Sequence, residues 1–287
     1  MRFAALTLVT LMSTIPTARG AEPGASGAQP SPEAEWKTWR EKRLASLRRE
    51  DGWLALVALD WLSEGENRFA GLPGRFVLAG GKVRLEATAG DGWTLKGGPV
   101  TSRELLTDTA EEPDRLKNGT RQLQVIERSG KLALRVWDAA SPVRTGFQGV
   151  ELFPYDPDFR VEATFEPFAA PKEVETPSVL GTPQKELSPG RVRFKLAGQE
   201  VTLEPTQEKP GEQLFFVFKD STWRKETYGA GRFLYTAAPK DGKVVLDFNR
   251  AYNPPCAFTP FATCPLPRKE NVLPVRVEAG EKRWIEH

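Results

Sequence analysis

Residues 123–137 read Leu-Gln-Val-Ile-Glu-Arg-Ser-Gly-Lys-Leu-Ala-Leu-Arg-Val-Trp. Two apolar runs, Leu123–Glu127 and Leu132–Trp137, flank Ser129-Gly130, the turn chemistry of a β-hairpin. In the second run Leu132, Leu134 and Val136 alternate with Ala133, Arg135 and Trp137, the period of a strand with one buried face. Phe76–Ala79, Gly80-Gly81 and Lys82–Ala87 repeat the signal. Further strands are expected at Val161–Phe165, Val192–Leu196, Val201–Leu203, Leu214–Phe218, Arg232–Tyr235, Val244–Phe248 and Leu273–Val277. Strands this frequent, with so few helices between them, do not make βαβ units. The expected fold is mainly β, an antiparallel sandwich or barrel.

One helix is expected to pack on it. Ser31 suits a cap, Pro32 the first helical position, and Glu33 and Glu35 the positive end of the helix dipole. Trp36, Trp39, Leu44 and Leu47 then form an apolar stripe, and Asp51-Gly52 stops a helix spanning Ser31–Glu50. The apolar run Trp53–Trp61 fits either a buried strand or a short helix. Glu166 to Pro189 carries five prolines and either divides two β-rich halves or connects strands within one sheet system.

Residues 1–20 read as a signal peptide: Arg2, an apolar core from Phe3 to Ile15, and the small residues around Ala18-Arg19-Gly20. Residues 21–30, rich in Gly, Ala, Ser and Pro, read as a flexible leader to a β-rich domain over 31–287. The expected location is periplasmic or secreted. Removal of residues 1–20 takes Arg2 and Arg19 and no acid, so a mature chain balances 38 basic against 38 acidic residues. Such a balance offers no basic stripe for nucleic acid. No apolar stretch is long enough to span a bilayer, and 39% hydrophobic with 27% charged residues excludes collagen-like and wholly disordered chains.

Chemistry concentrates in 215–261, where eleven aromatics fall in 47 positions. Aromatic walls with a few polar groups line small-molecule pockets. The candidate ligand-binding residues are Tyr228, Arg232, Asp247, Asn249, Arg250, Tyr252 and Asn253. The turn Thr227-Tyr228-Gly229-Ala230-Gly231 offers backbone N–H groups to an anion, with Arg232 as a fork donor. Asp247 or Glu226 fits acid–base hydrolysis, and Arg135 and Asp138 either pair near the same pocket or merely solvate the strand end. Cys256 and Cys264 fit a disulfide, whose nine-residue loop is worth about 2.6 kcal/mol. The lesser alternatives are inert buried thiols, or a nucleophile at Cys256 activated by Arg232 or Arg250. The only histidine is His287, the last residue, so neither a His-based metal site nor a Ser-His-Asp triad is expected, and no cofactor.

Three stretches carry a resemblance: Thr227-Tyr228-Gly229-Ala230-Gly231-Arg232-Phe233-Leu234, residues 247–258 (Asp-Phe-Asn-Arg-Ala-Tyr-Asn-Pro-Pro-Cys-Ala-Phe), and Thr263-Cys264-Pro265-Leu266-Pro267 with Glu270-Asn271. They resemble the bacterial family called domain of unknown function 1684. The likeness extends through Arg135-Val136-Trp137-Asp138 and Phe153-Pro154 to the helix near Trp36. It implies a bacterial origin and one shared fold, and brings no activity, cofactor or catalytic residue with it. The functional expectation is an exported protein binding a small polar or anionic ligand in an aromatic-lined pocket within 218–264. The alternatives are a hydrolase using that pocket and a structural module of the cell envelope.

Overall fold

The computed structural model describes residues 30–181 and 183–284. The segment expected to be a signal peptide, all of the expected leader but Pro30, and His287 lie outside the described residues. Helix α1 spans Pro32–Leu47, with Trp36 and Leu47 as its buried residues. The run Trp53–Trp61 combines both expected forms: one 3-10 turn over Trp53–Ala55 feeds strand β1, Leu56–Trp61.

The amino-terminal strands continue as β2 (Gly65–Asn67), β3 (Arg75–Ala79), β4 (Lys82–Glu86), β5 (Thr94–Leu95) and β6 (Gly98–Pro99). Then come β7 (Ser102–Leu105), β8 (Leu116–Asn118), β9 (Arg121–Arg128) and β10 (Lys131–Asp138). They form two antiparallel sheets, ordered β1-β10-β9-β8-β5-β6 and β2-β3-β4-β7. Phe76, Val83 and Leu85 from the second sheet meet Leu123, Val125, Leu132, Leu134 and Val136 from the first in one core, with Trp93 between strands.

The expectation of a single buried face on β10 needs correction. Residues 132–137 are all buried. The strand lies between β1 and β9, and its second face, carrying Ala133, Arg135 and Trp137, is roofed by Trp53 and Phe261.

The carboxy-terminal strands are β11 (Arg160–Thr176), β12 (Gln184–Leu196), β13 (Gln199–Leu203), β14 (Leu214–Phe218), β15 (Arg232–Thr236) and β16 (Lys243–Asp247). Sheet β13-β12-β11-β16 and the pair β14-β15 share a second core that includes Val192, Phe194, Leu203, Phe216, Phe218 and Leu246. Much of the proline-bearing stretch is strand: β11 and β12 run on past an irregularity at Pro167/Lys172 and pair again, Lys172–Thr176 against Gln184–Ser188, as a hairpin. All strand pairs within the sheets are antiparallel, and among the described residues none closes into a barrel.

Leu273–Val277 is not a strand. Leu273, Val275, Val277 and Ala279 keep the buried alternation and fill the second core. Their polar groups pair elsewhere: Ser221 N–H donates to the Val275 carbonyl, while Asp220 accepts from Val277 N–H and Arg232 donates to the Val277 carbonyl. No helix of the described residues is long and apolar enough to cross a membrane.

Candidate functional site

Strands β14 and β15 pair in register, Phe215 against Tyr235 and Val217 against Phe233. Alternation sends Leu214, Phe216, Phe218 and Leu234 into the core. The opposite parity, Phe215, Phe233 and Tyr235, becomes the floor of an open groove of about 990 Å³. Phe215 stacks on Tyr235 with centroids 4.6 Å apart, and Phe233 meets Phe215 and Tyr252 edge-on at 4.9 and 5.9 Å. Trp39 of α1 and Trp53 complete the aromatic lining.

The walls come from distant chain. The β11–β12 hairpin supplies Glu173, Lys185, Glu186 and Leu187, and the stretch between β13 and β14 supplies Glu208 and Glu212. On the helix side stand Lys42 and Arg43. Arg43 is held by Glu281 at 2.9 Å and by the Asn253 carbonyl at 2.9 Å, with its guanidinium 4.6 Å over the Tyr252 ring. Glu173 is paired with Lys185, and Glu186 accepts from Thr176. A second groove of about 570 Å³ shares Trp39, Gln213, Tyr235 and Tyr252 with the first. Its own lining is basic, with Arg160, Lys240, Lys243 and Arg250 beside Glu35 and Asp247.

Of the candidate residues, Tyr252 lines both grooves, and Asp247 and Arg250 line the second. Burial raises the Tyr252 hydroxyl well above its ordinary range. Asp247 accepts from the Asn249 backbone and side chain at 3.2 and 3.0 Å. Arg250 ion-pairs with Asp247 at 3.1 Å and with Glu35 at 2.9 Å. Asn249 is buried and spans to the backbone of Asp156 at 3.0 and 2.9 Å, so it is a brace. Asn253 is likewise buried, donating to the Glu281 carboxylate and the Lys282 carbonyl, each at 2.7 Å.

Arg232 is not at the groove. It shares the core parity of Leu234, is 1% exposed, and pairs with Asp220 at 3.2 Å. It also donates to the carbonyls of Val277, at 3.0 Å, and Ala279. The turn before it serves packing. Gly231 has φ +94°, and a Cβ there would lie 2.6 Å from the Phe218 carbonyl oxygen and 2.5 Å from Pro267. Tyr228 donates to the Cys256 carbonyl at 2.8 Å.

Asp247 and Glu226 are engaged separately, Glu226 by Arg276 at 2.6 Å on the exterior. Arg135 and Asp138 do not pair: Asp138 meets Arg121 at 3.5 Å, and Arg135 lies on the opposite face of β10, against Trp53. Cys256 and Cys264 are free thiols rather than a disulfide. The Cys256 N–H donates to the Cys264 sulfur at 3.1 Å. The hydrogen bond between the thiols lowers the pKa of Cys256 and raises that of Cys264, which burial raises further. Among the described residues no group of three His, Cys, Asp or Glu side chains could hold a metal ion.

Local aromatic density identifies the groove floor but not Trp39, Trp53, Glu186, Glu208 or Glu212, which reach it from four other segments. Arg135 left a signal in the sequence, a charge in the middle of an apolar strand.

Fold and site define a β-rich protein with two cores and an open aromatic groove on the second. Residues 145–282 match the family model described as "Protein of unknown function (DUF1684)". Through this carboxy-terminal portion, which carries β11 to β16, the chain belongs to that family. The matched span is shorter than the likeness reaching back to Trp36. An uncharacterised protein of Haloarcula marismortui, solved by solution NMR, is similar at 33% identity, the match covering 50% of this chain and 81% of that one with a TM-score of 0.43. No curated protein matches the chain.

Proposed function

We propose that the chain binds a small ligand with a flat apolar body across Trp39, Tyr235 and Tyr252, with its polar or anionic end at the basic second groove. The supporting observation is the convergence of Trp39, Trp53, Phe215, Phe233, Tyr235 and Tyr252 onto one open groove. Large aromatics left facing solvent space are what ligand sites are lined with. Tyr235 is 45% exposed, although its neighbours on β15 are buried. The anionic end is supported by Arg160 and Lys240, which border the groove without a carboxylate partner among the described residues. Export follows from the pattern of residues 1–20 and belongs to the same proposal, with the ligand then met outside the cytoplasm. Neither hydrolysis nor a purely structural role has a comparable arrangement of residues behind it.

The test uses two fluorescent probes of one shape, 8-anilinonaphthalene-1-sulfonate and its uncharged analogue N-phenyl-1-naphthylamine. Both are expected to bind once per chain, and Tyr235→Ala to weaken both about tenfold, the scale of a lost aromatic contact of about 1.4 kcal/mol. Arg160→Ala with Lys240→Ala should weaken only the sulfonate. Binding of either probe unchanged by Tyr235→Ala would overturn the site.

A further inference from the structure

Three arginines are buried among the described residues, and two of them are neutralised by the fold. Arg232 pairs with Asp220 at 3.2 Å, and Arg268 with Glu204 at 3.5 Å. The third, Arg135, sits in the middle of β10, 8% exposed, with its guanidinium 5.5 Å from the Trp53 ring centre. Among the described residues it makes no ion pair and no side-chain hydrogen bond, and its Nε is buried without a partner. A buried charge left unpaired is costly. Asp108, the carboxylate that acts on it, is spent on Arg128 at 2.6 Å and on the Glu127 N–H at 2.9 Å.

Directly across the ladder from Arg135 stands Gln124 of β9, on the same face of the sheet and 5% exposed. Its side-chain amide also makes no hydrogen bond among the described residues. A guanidinium and a carboxamide thus lie side by side in buried positions, and the fold gives neither a partner. We propose that Arg135 and Gln124 form a second, smaller binding site that takes a carboxylate. The site is separate from the basic second groove, whose Arg160 and Lys240 belong to the carboxy-terminal half.

The donor set selects the ligand. The unpaired edge of the guanidinium, Nε with its neighbouring terminal nitrogen, presents two parallel N–H donors spaced for the two oxygens of one carboxylate. Gln124 adds a donor from the side chain beside it. Burial brings Arg135 down to about 10, which leaves it charged at neutral pH, and one cation balances one negative charge. The other arginines in range, Arg128 and Arg115, are already paired with Asp108 and Asp51, so a doubly charged phosphate or sulfate would stay half-neutralised. A halide, being spherical, gains nothing from the two-donor edge. Trp53, which stacks on Arg135, also lines the aromatic groove, so the carboxylate arrives either as a free small acid or as the acid end of a groove ligand.

The test titrates the full chain, freed of carboxylate buffers, with sodium acetate against sodium chloride at one ionic strength. Acetate is expected to bind once per chain by calorimetry and to raise the melting temperature to a plateau, and chloride to do neither. Arg135→Met, of similar length without the charge, should abolish acetate binding, while 8-anilinonaphthalene-1-sulfonate still binds that variant in the groove. Gln124→Leu decides the matter if Arg135→Met does not fold: it should weaken acetate about tenfold, the scale of one lost hydrogen bond to a charged group. The probe 1-naphthoate then separates the two sources. Arg135-dependent binding that displaces N-phenyl-1-naphthylamine supports the site as the seat of a larger ligand's acid end, and acetate binding without such displacement supports it as a site for a free small acid. No saturable effect of acetate, an equal effect of chloride, acetate binding unchanged in either folded variant, or loss of the sulfonate probe together with acetate in Arg135→Met would overturn the proposal.

Discussion

Arg232 and Arg250 stand eighteen positions apart in one aromatic-rich segment, and their environments give them opposite energetic weight. Arg232 and Asp220 are each 1% exposed, and Asp220 also accepts from Val277 N–H at 2.6 Å and from Thr222. Asp220→Ala therefore strands a buried guanidinium and a buried N–H together, and should cost about 3–5 kcal/mol. Arg250 is partly exposed, and its pair with Glu35 is solvent-screened, so removing that pair with Glu35→Ala should cost under about 1 kcal/mol. Urea midpoints compare the two, and similar losses would contradict this contrast. The sequence marks both arginines as polar groups among aromatics. It does not reveal that Arg232 shares the parity of Leu234 and points inward, because β15 carries large apolar residues on both faces. Asn249 and Asn253 were equally visible as polar, and equally hidden as braces, since their partners Asp156, Glu281 and Lys282 lie far along the chain.

Elements fixed by local chemistry were legible. Ser129-Gly130 and Gly80-Gly81 turn their strands where expected, because those turns need only two residues and positive φ. Leu273–Val277 shows where local reading stops: its alternation is real, but side chains of Asp220 and Arg232 take positions along it that a neighbouring strand would otherwise fill. Helix α1 was legible from its stripe, and its docking was not. Trp36 is 8% exposed, donates to the Asn249 carbonyl at 2.9 Å and packs 5.4 Å from Tyr155. It anchors the helix that carries Trp39 and Arg43 to the groove. Trp36→Ala should cost about 3 kcal/mol, the low end for a buried aromatic. Denaturation followed at 222 nm measures it, and a loss below about 1 kcal/mol would show that the helix is held by other contacts.

The two cores are separate clusters, yet the chain ties them through a seam that neither owns. Ala55 and Leu56, entering β1, pack with Trp137 of β10 and with Phe261 from the carboxy-terminal loop. Thr259 donates to the Leu56 carbonyl at 3.0 Å. Beside them Leu47 of α1, Leu54, Phe147 and Val150 close around Phe258. The loop 252–264 thus contributes to the groove, holds both thiols and joins the halves, which accounts for its rigidity in proline and its density of buried side chains. A seam this apolar couples the unfolding of the cores, because exposing it costs free energy before either core has opened. Calorimetry should therefore show one transition whose calorimetric and van't Hoff enthalpies agree. Phe258→Ala removes a ring that is 5% exposed and lies 5.2 Å from Trp284, at a cost of about 3–5 kcal/mol. That loss falls on the seam rather than on either core, so the variant should melt in two steps, the carboxy-terminal half keeping its groove-bound probe through the first. Two transitions in the unsubstituted chain would show instead that each core folds alone and that the seam is only a contact between them.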